Sequence, residues 1–293
     1  MQSGKIVFIS DPDCDDSDRF HTGTLEGLPI NICSITSDVI DHREFFSNLY
    51  MITNDGHMLL YENLNALLNN RSKASGLKAV DISDRIPGKV ISMTSSIFPP
   101  FLCINDAGQL FSSNGFGSNV SFEEVMPGLQ RVTQVSDSYT HNLAITEDGS
   151  VYSWSKLPAS PFSSVLGLGA GAPFQAKPRK LERITDAIQV FSGNLFGAIL
   201  TKTGEVYVFG QISDSRHPPI FSPRKVDGLE GEKIIRIANS TQNILVLVAK
   251  SGKQIRCESQ PDCIDLKLTT INPEHPKGIE ELVDRSSRFG PSK

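Results

Sequence analysis

A chain of 293 residues with 39% hydrophobic and 21% charged residues can bury a core, so wholesale disorder is excluded. A net charge of -5 leaves no positive field to hold a phosphate backbone, and nucleic acid is not an expected partner. No apolar run approaches the roughly 18 residues of a membrane helix, and the first ten residues show no basic region followed by an apolar one, so neither a membrane span nor a secretory signal is expected.

In chain order, Gly4 is followed by a short strand-like run, Lys5 to Ser10, with no strand before it, and acid follows: residues 1 to 50 hold nine Asp/Glu against three Lys/Arg. Asp11, Asp13 and Asp15 imitate the start of a calcium loop, but Asp16 stands where glycine is needed and Thr22 where a bidentate Glu is needed. A solvated acidic loop is the expectation. Next come LYMITNDGHMLLY (Leu49 to Tyr61), FLCINDAGQLF (Phe101 to Phe111), THNLAITEDGSVYSW (Thr140 to Trp154), GAILTKTGEVYVFG (Gly197 to Gly210) and ILVLVAKSGKQIRC (Ile244 to Cys257). Each is an apolar run, a polar turn with glycine, then an alternating run. Counting the truncated copy at the start, the marking glycines are Gly4, Gly56, Gly108, Gly149, Gly204 and Gly252, spaced by 52, 52, 41, 55 and 48 residues.

Period-two runs around Asn-Asp-Gly or Glu-Asp-Gly read as β-hairpins. Upstream of most lies an apolar pair spaced by three: Val132 and Val135, Ala187 and Val190, Ile234 and Ile237. About four short strands per unit of about 50 residues suits a propeller blade and leaves no room for crossover helices. The expected fold is an all-β, six-bladed β-propeller over residues 1–272, closed by pairing Lys5 to Ser10 with the alternating Cys263 to Ile271. A tail, 273–293, carries a short helix near Ile279 to Arg285.

Chemical motifs are sparse. The five cysteines, Cys14, Cys33, Cys103, Cys257 and Cys263, lack zinc spacing and suit reduced thiols in a cytosol. GLGAG (Gly167 to Gly171) is followed by Pro173 and Phe174 rather than a helix, which leaves a blade loop rather than a phosphate cradle. The six histidines show no HExxH, no serine sits in GxSxG, and neither a hydrolytic nor a redox site is visible. No metal or cofactor is expected, and whether the chain has a catalytic activity is left open.

HNLAITEDGSVYSW and SGNLFGAILTKTGEVYVFG resemble the repeat of the regulator of chromosome condensation family, with Phe196 where that repeat usually has His. The likeness runs from Gly4 to about Ile271. It implies a propeller, usually of seven blades, and one use of it: gripping the small GTPase Ran with one face and pushing a loop against its nucleotide pocket. Carried over by position, the GTPase-facing residues are Asp137, Tyr139, His141 and Asn194. Tyr139 and Asn194 replace acids usual in the family, and His141 either ties its own turn or acts in binding. The wedge-like loop is Lys156, Leu157, Pro158, Ala159, Ser160, Pro161 and Phe162. The resemblance equally covers noncatalytic scaffolds and a bacterial inhibitor, so a protein-binding propeller is the alternative, cytoplasmic or delivered by a bacterium to a host cytosol.

Overall fold

The computed structural model describes residues 4–10, 21–28, 32–38, 48–62, 79–94, 100–115, 117–128, 130–156, 163–172, 175–211, 219–240, 244–260 and 263–271. β1 (Gly4–Ser10) and β2 (His21–Leu28) form a two-stranded antiparallel sheet. Five four-stranded antiparallel sheets follow, each in simple chain order. They are β3 (Ile32–Asp38), β4 (Asn48–Thr53), β5 (Met58–Glu62) and β6 (Val80–Asp81); β7 (Val90–Met93), β8 (Leu102–Asn105), β9 (Leu110–Asn114) and β10 (Ser121–Glu124); β11 (Val132–Asp137), β12 (His141–Thr146), β13 (Val151–Ser155) and β14 (Arg179–Lys180); β15 (Ala187–Ser192), β16 (Phe196–Thr201), β17 (Val206–Gly210) and β18 (Ile220–Lys225); and β19 (Ile234–Ser240), β20 (Ile244–Ala249), β21 (Gln254–Gln260) and β22 (Cys263–Ile271).

The recurring hairpins join the second and third strands of these sheets. Their glycines do two things, as Gly149 and Gly108 show. Gly149 takes φ 80°, which side chains with a Cβ rarely adopt, and a Cβ there would lie 2.7 Å from the Thr185 carbonyl oxygen. Its own carbonyl accepts the Ala187 N–H at 3.1 Å, where the next sheet begins. At Gly108 a Cβ would lie 2.1 Å from Arg131 Cγ, and the Val132 N–H donates to the Gly108 carbonyl at 2.8 Å. The glycine that makes the hairpin is also where the following sheet docks.

The apolar pairs spaced by three have a cause that alternation hides. In β3, β7, β11, β15 and β19 the register slips between the first and third residues, so one residue is bulged out of each first strand. The bulge returns the first and fourth residues to one face. Ala187 and Val190 accordingly share one core with Leu143, Ile145, Val151, Ile199 and Phe209. The bulged position itself is exposed: Ile91, Ile188 and Ile235 are each about half accessible.

Cores lie between sheets. Leu143, Ile145 and Val151 face the β15–β18 sheet, whereas Trp154 packs with Leu102, Ile104 and Leu110 of the β7–β10 sheet, and all four are buried as expected from the period of two. Each such large aliphatic side chain contributes about 1.5–3 kcal/mol by leaving water. First strands are also clamped directly. Gln134 accepts the Val190 N–H at 3.0 Å, and Gln189 both accepts the Ile237 N–H and donates to its carbonyl at 2.8 Å.

The expected closure is corrected. Lys5 to Ser10 pairs with β2, from Lys5 opposite Glu26 to Ser10 opposite His21, and Cys263 to Ile271 pairs with β21. Both strands take the neighbour nearest in sequence, where closing the loop costs least entropy. The six repeat units become five four-stranded sheets and one two-stranded sheet, in which β1, following Gly4, stands where third strands follow their glycines. The acidic loop from Asp11 to Asp18 and the short helix near Ile279 to Arg285 lie outside the described residues.

Candidate functional site

The candidate residues gather at the end of the sheets opposite the glycine hairpins. There first strands turn into second strands, and third strands run into long connections. In the β11–β14 sheet the turn is Ser138-Tyr139-Thr140. The Ser138 N–H donates to the His141 carbonyl at 3.0 Å, and the Ser138 hydroxyl donates to the same carbonyl at 3.0 Å. This closure lifts Tyr139 to the apex, where it is 53% exposed. The equivalent turn in the next sheet, closed by Gly193 N–H to the Phe196 carbonyl at 2.7 Å, lifts Asn194 to an exposed apex. A hydrogen bond from the Thr140 hydroxyl to the Asn194 carbonyl ties the two turns together.

His141 lies beneath, fully buried. Its Nδ1 lies 3.2 Å from the Ser138 hydroxyl and 3.1 Å from the Thr140 hydroxyl, and both hydroxyls already donate to carbonyls. Nδ1 must then carry the proton, leaving Nε2 as a buried acceptor without a partner, with the ring edge-on to Phe209 of the next sheet at 6.3 Å. Burial pushes the His141 pKa down to about 3, so the ring is neutral at physiological pH. In the structure His141 contacts the two hydroxyls of its own turn.

Asp137 and Lys156 form an ion pair at 3.0 Å with both side chains 1% exposed. Burial pulls the Lys156 pKa down, and the Asp137 carboxylate opposes that pull. The Lys156 N–H donates to the Thr140 carbonyl at 3.0 Å, so the long connection starts from a fixed point. Its far end, 163–172, leans on the next sheet: Val165 and Leu166 are buried, and the Gly169 N–H donates to the Phe221 carbonyl at 2.8 Å. The glycine run thus serves as a blade loop. Leu157 to Phe162 lie outside the described residues.

Of the residues carried over from the family, Tyr139 and Asn194 are presented to solvent, while Asp137, His141 and the Lys156 side chain support them from inside. The sequence did not reveal the Asp137–Lys156 pair, whose members stand 19 residues apart. The clamps of Gln134 and Gln189 were readable in principle, since both occupy the third position of a first strand. Among the described residues no group of three or more His, Cys, Asp or Glu could hold a metal, and no helix is long and apolar enough to cross a membrane.

Repeated four-stranded sheets, docked through their hairpin glycines and presenting paired turns at the opposite end, define a β-propeller repeat protein. No protein-family profile matches the chain. The chain is 32% identical over 147 residues to BTB/POZ domain-containing protein 1 of Schizosaccharomyces pombe, covering 45% of this chain and 10% of that protein. It is 29% identical over 137 residues to the regulator of chromosome condensation of Mus musculus, covering 42% of this chain and 32% of that protein. The solved structure of Prp20p from Saccharomyces cerevisiae aligns with a TM-score of 0.57 at 13% identity, over 78% of this chain and 57% of that one, and shares the fold. The repeats of this chain are of the regulator of chromosome condensation type. The chain spans a third or less of these two curated relatives.

Proposed function

We propose that this chain binds a small GTPase, with Ran the favoured partner, through the face bearing Tyr139 and Asn194, and that it promotes nucleotide release. The observation that carries the reading is the joining of two equivalent turn apices on a rigid buried base. The repeat family supports it, as does the Prp20p structure, which was described together with that protein's binding to Gsp1p and histones. Release on this reading needs no reacting side chain of the propeller: a surface that binds the nucleotide-free GTPase more tightly than the loaded one shifts the equilibrium by that difference. The part of the loop able to press on the partner is Leu157 to Phe162, because Lys156 is committed to Asp137.

A noncatalytic scaffold is the second reading. It is favoured by the uncharged Tyr139 and Asn194 standing where the family's acids are usual. The test is release of a fluorescent nucleotide from a panel of small GTPases, Ran first. Acceleration by the intact chain is expected, and its loss when Leu157 to Phe162 becomes a short Gly/Ser linker. Tyr139→Ala with Asn194→Ala should weaken binding without lowering the melting temperature. Binding without acceleration for every GTPase would establish the scaffold reading, and binding to none would end the GTPase reading.

A further inference from the structure

The hairpin end of the sheets, opposite Tyr139 and Asn194, changes sign around the molecule. The hairpins of the β3–β6, β7–β10 and β11–β14 sheets carry Asp55, Asp106, and Glu147 with Asp148, whereas those of the β15–β18 and β19–β22 sheets carry Lys202 and Lys250. Lys233 lies over the β16–β17 hairpin, where a Cβ on Gly204 would come 2.9 Å from its Cγ, and its carbonyl accepts the Lys250 N–H at 2.8 Å. Arg236 follows the bulged Ile235, and all four cations are exposed. Acids beside them are engaged: Glu232 by Lys253 at 3.1 Å, and Glu205 by Lys225. Ile188 and Ile235, each about half exposed, share this area on first strands that the Gln189 amide holds side by side through both backbone groups of Ile237. In a chain of net charge -5, cations around exposed isoleucines make a surface suited to an acidic, apolar segment.

We propose that this surface is the docking site of the chain's own residues 279–284, IEELVD, which follow the last strand. Residues 272–293 lie outside the described residues, but the place where β22 delivers them is fixed. Ile271 pairs with Gln254, just past the Gly252 hairpin, and Ile234 of the first strand pairs with Ala249, just before it. β22 therefore ends at the hairpin end, on the sheet that carries Ile235, Arg236 and Lys250. From β22 to β19 is three strand spacings, about 15 Å, and the connecting residues 272–278 can span up to about 23 Å. The segment can reach the isoleucines. Its composition is the complement of the surface, with Glu280, Glu281 and Asp284 among Ile279, Leu282 and Val283. The acidic hairpins of the first three sheets repel it, so the basic pair of sheets is selected by charge as well as by reach. A tethered segment meets its site at an effective concentration in the millimolar range, which lets a small contact hold it. Docking there leaves Tyr139 and Asn194, at the other end of the sheets, uncovered whatever their partner.

Carbodiimide cross-linking of the full chain at low micromolar concentration tests the docking, because the reagent joins carboxylates only to lysines in direct contact. Glu232 and Lys253, 3.1 Å apart, provide an internal reference link. Mass spectrometry of tryptic digests should find the peptide Gly278 to Arg285 joined to Lys202, Lys233 or Lys250, at a yield within about tenfold of the reference and independent of protein concentration. Ile188→Ser with Ile235→Ser should lower that yield about twofold or more and leave the reference link unchanged. Leu282→Ser with Val283→Ser, whose residues belong to none of the described cores, should do the same without touching the sheets. Four results would overturn the docking: a reference link with no link from 278–285, links from 278–285 mainly to Lys177, Lys180 or Lys225, a yield that rises with protein concentration, or a yield indifferent to both pairs of substitutions.

Discussion

The β11–β14 and β15–β18 sheets build the same turn with different chemistry. Asp137, His141 and Lys156 of the first correspond by position to Ser192, Phe196 and Gln211 of the second. The backbone bonds are the same in both: Lys156 N–H to the Thr140 carbonyl at 3.0 Å, and Gln211 N–H to the Leu195 carbonyl at 2.7 Å. The second sheet shows that the turn needs neither a buried ion pair nor a histidine. In the first sheet, then, the charges are added to a fold that stands without them. A buried pair of this kind contributes little net stability but is costly to break.

Copying residues from one sheet into the other tests that view. The largest effect should come from Lys156→Met, which leaves the Asp137 charge buried without its cation and should cost about 3–5 kcal/mol in chemical denaturation. Asp137→Ser with Lys156→Gln reproduces the neighbour's residues and should recover most of that loss. A double variant as unstable as the single one would mean that the turn depends on the charges after all. Next come the cores the two sheets share in kind: Ile145→Ala and Leu200→Ala occupy equivalent buried positions and should each cost about 2–5 kcal/mol. A gap of more than about 2 kcal/mol between them would show that one site relaxes around the cavity and the other does not.

His141→Phe copies Phe196 and should change stability at pH 7 by less than about 1 kcal/mol, because two hydroxyl contacts are lost while an unpaired buried nitrogen is removed. Its informative readout is acid. The folded pKa of about 3 lies below the ordinary 6.5, so between those values the unfolded chain takes up the proton and the folded chain does not. Wild-type stability should fall as the pH drops from about 6.5 toward 3, and His141→Phe should fall less steeply over that range. Identical slopes would show that His141 is protonated in the fold.

What the sequence made legible follows from where each interaction sits along the chain. Hairpins were readable because Asp148 and Gly149, or Asn105 and Gly108, lie within a few residues of the strands they join. Burial of Ile145 and Trp154 followed from strict alternation. The spacing of Val132 and Val135 was visible, but a bulge inserts a residue without leaving a signature that alternation can register. Closure was misjudged because alternation in Cys263 to Ile271 identifies a strand and says nothing of its neighbour. At the candidate site the exposed apices Tyr139 and Asn194 could be placed by family position. The burial of Asp137 and Lys156 could not, since a charged residue on a turn ordinarily faces water.

The smallest difference between the two sheets is at the opposite end, in the hairpins. Asp148 accepts from the Thr146 hydroxyl at 2.6 Å, from the Ser150 N–H at 3.0 Å and from the Ser150 hydroxyl at 2.9 Å. The Thr146 hydroxyl, followed by the Ser150 N–H, holds its pKa down to about 2, below the ordinary 3.8. Its counterpart, Thr203, meets the Thr201 hydroxyl at 2.8 Å with no charge involved. A carboxylate with a depressed folded pKa adds stability that is fully present above about pH 4 and is lost as the pH falls toward about 2, where the folded group also protonates. Asp148→Thr should therefore lower the melting temperature slightly at pH 6, and the gap from wild type should close between about pH 4 and pH 2. The carboxylate is exposed, so added salt should shrink any part of the gap that comes from neighbouring charges and leave the hydrogen-bonded part. A gap that stays constant through acid would assign the effect to the shape of the Asp side chain rather than to its charge, and the two hairpins would then be equivalent in electrostatics as well as in backbone.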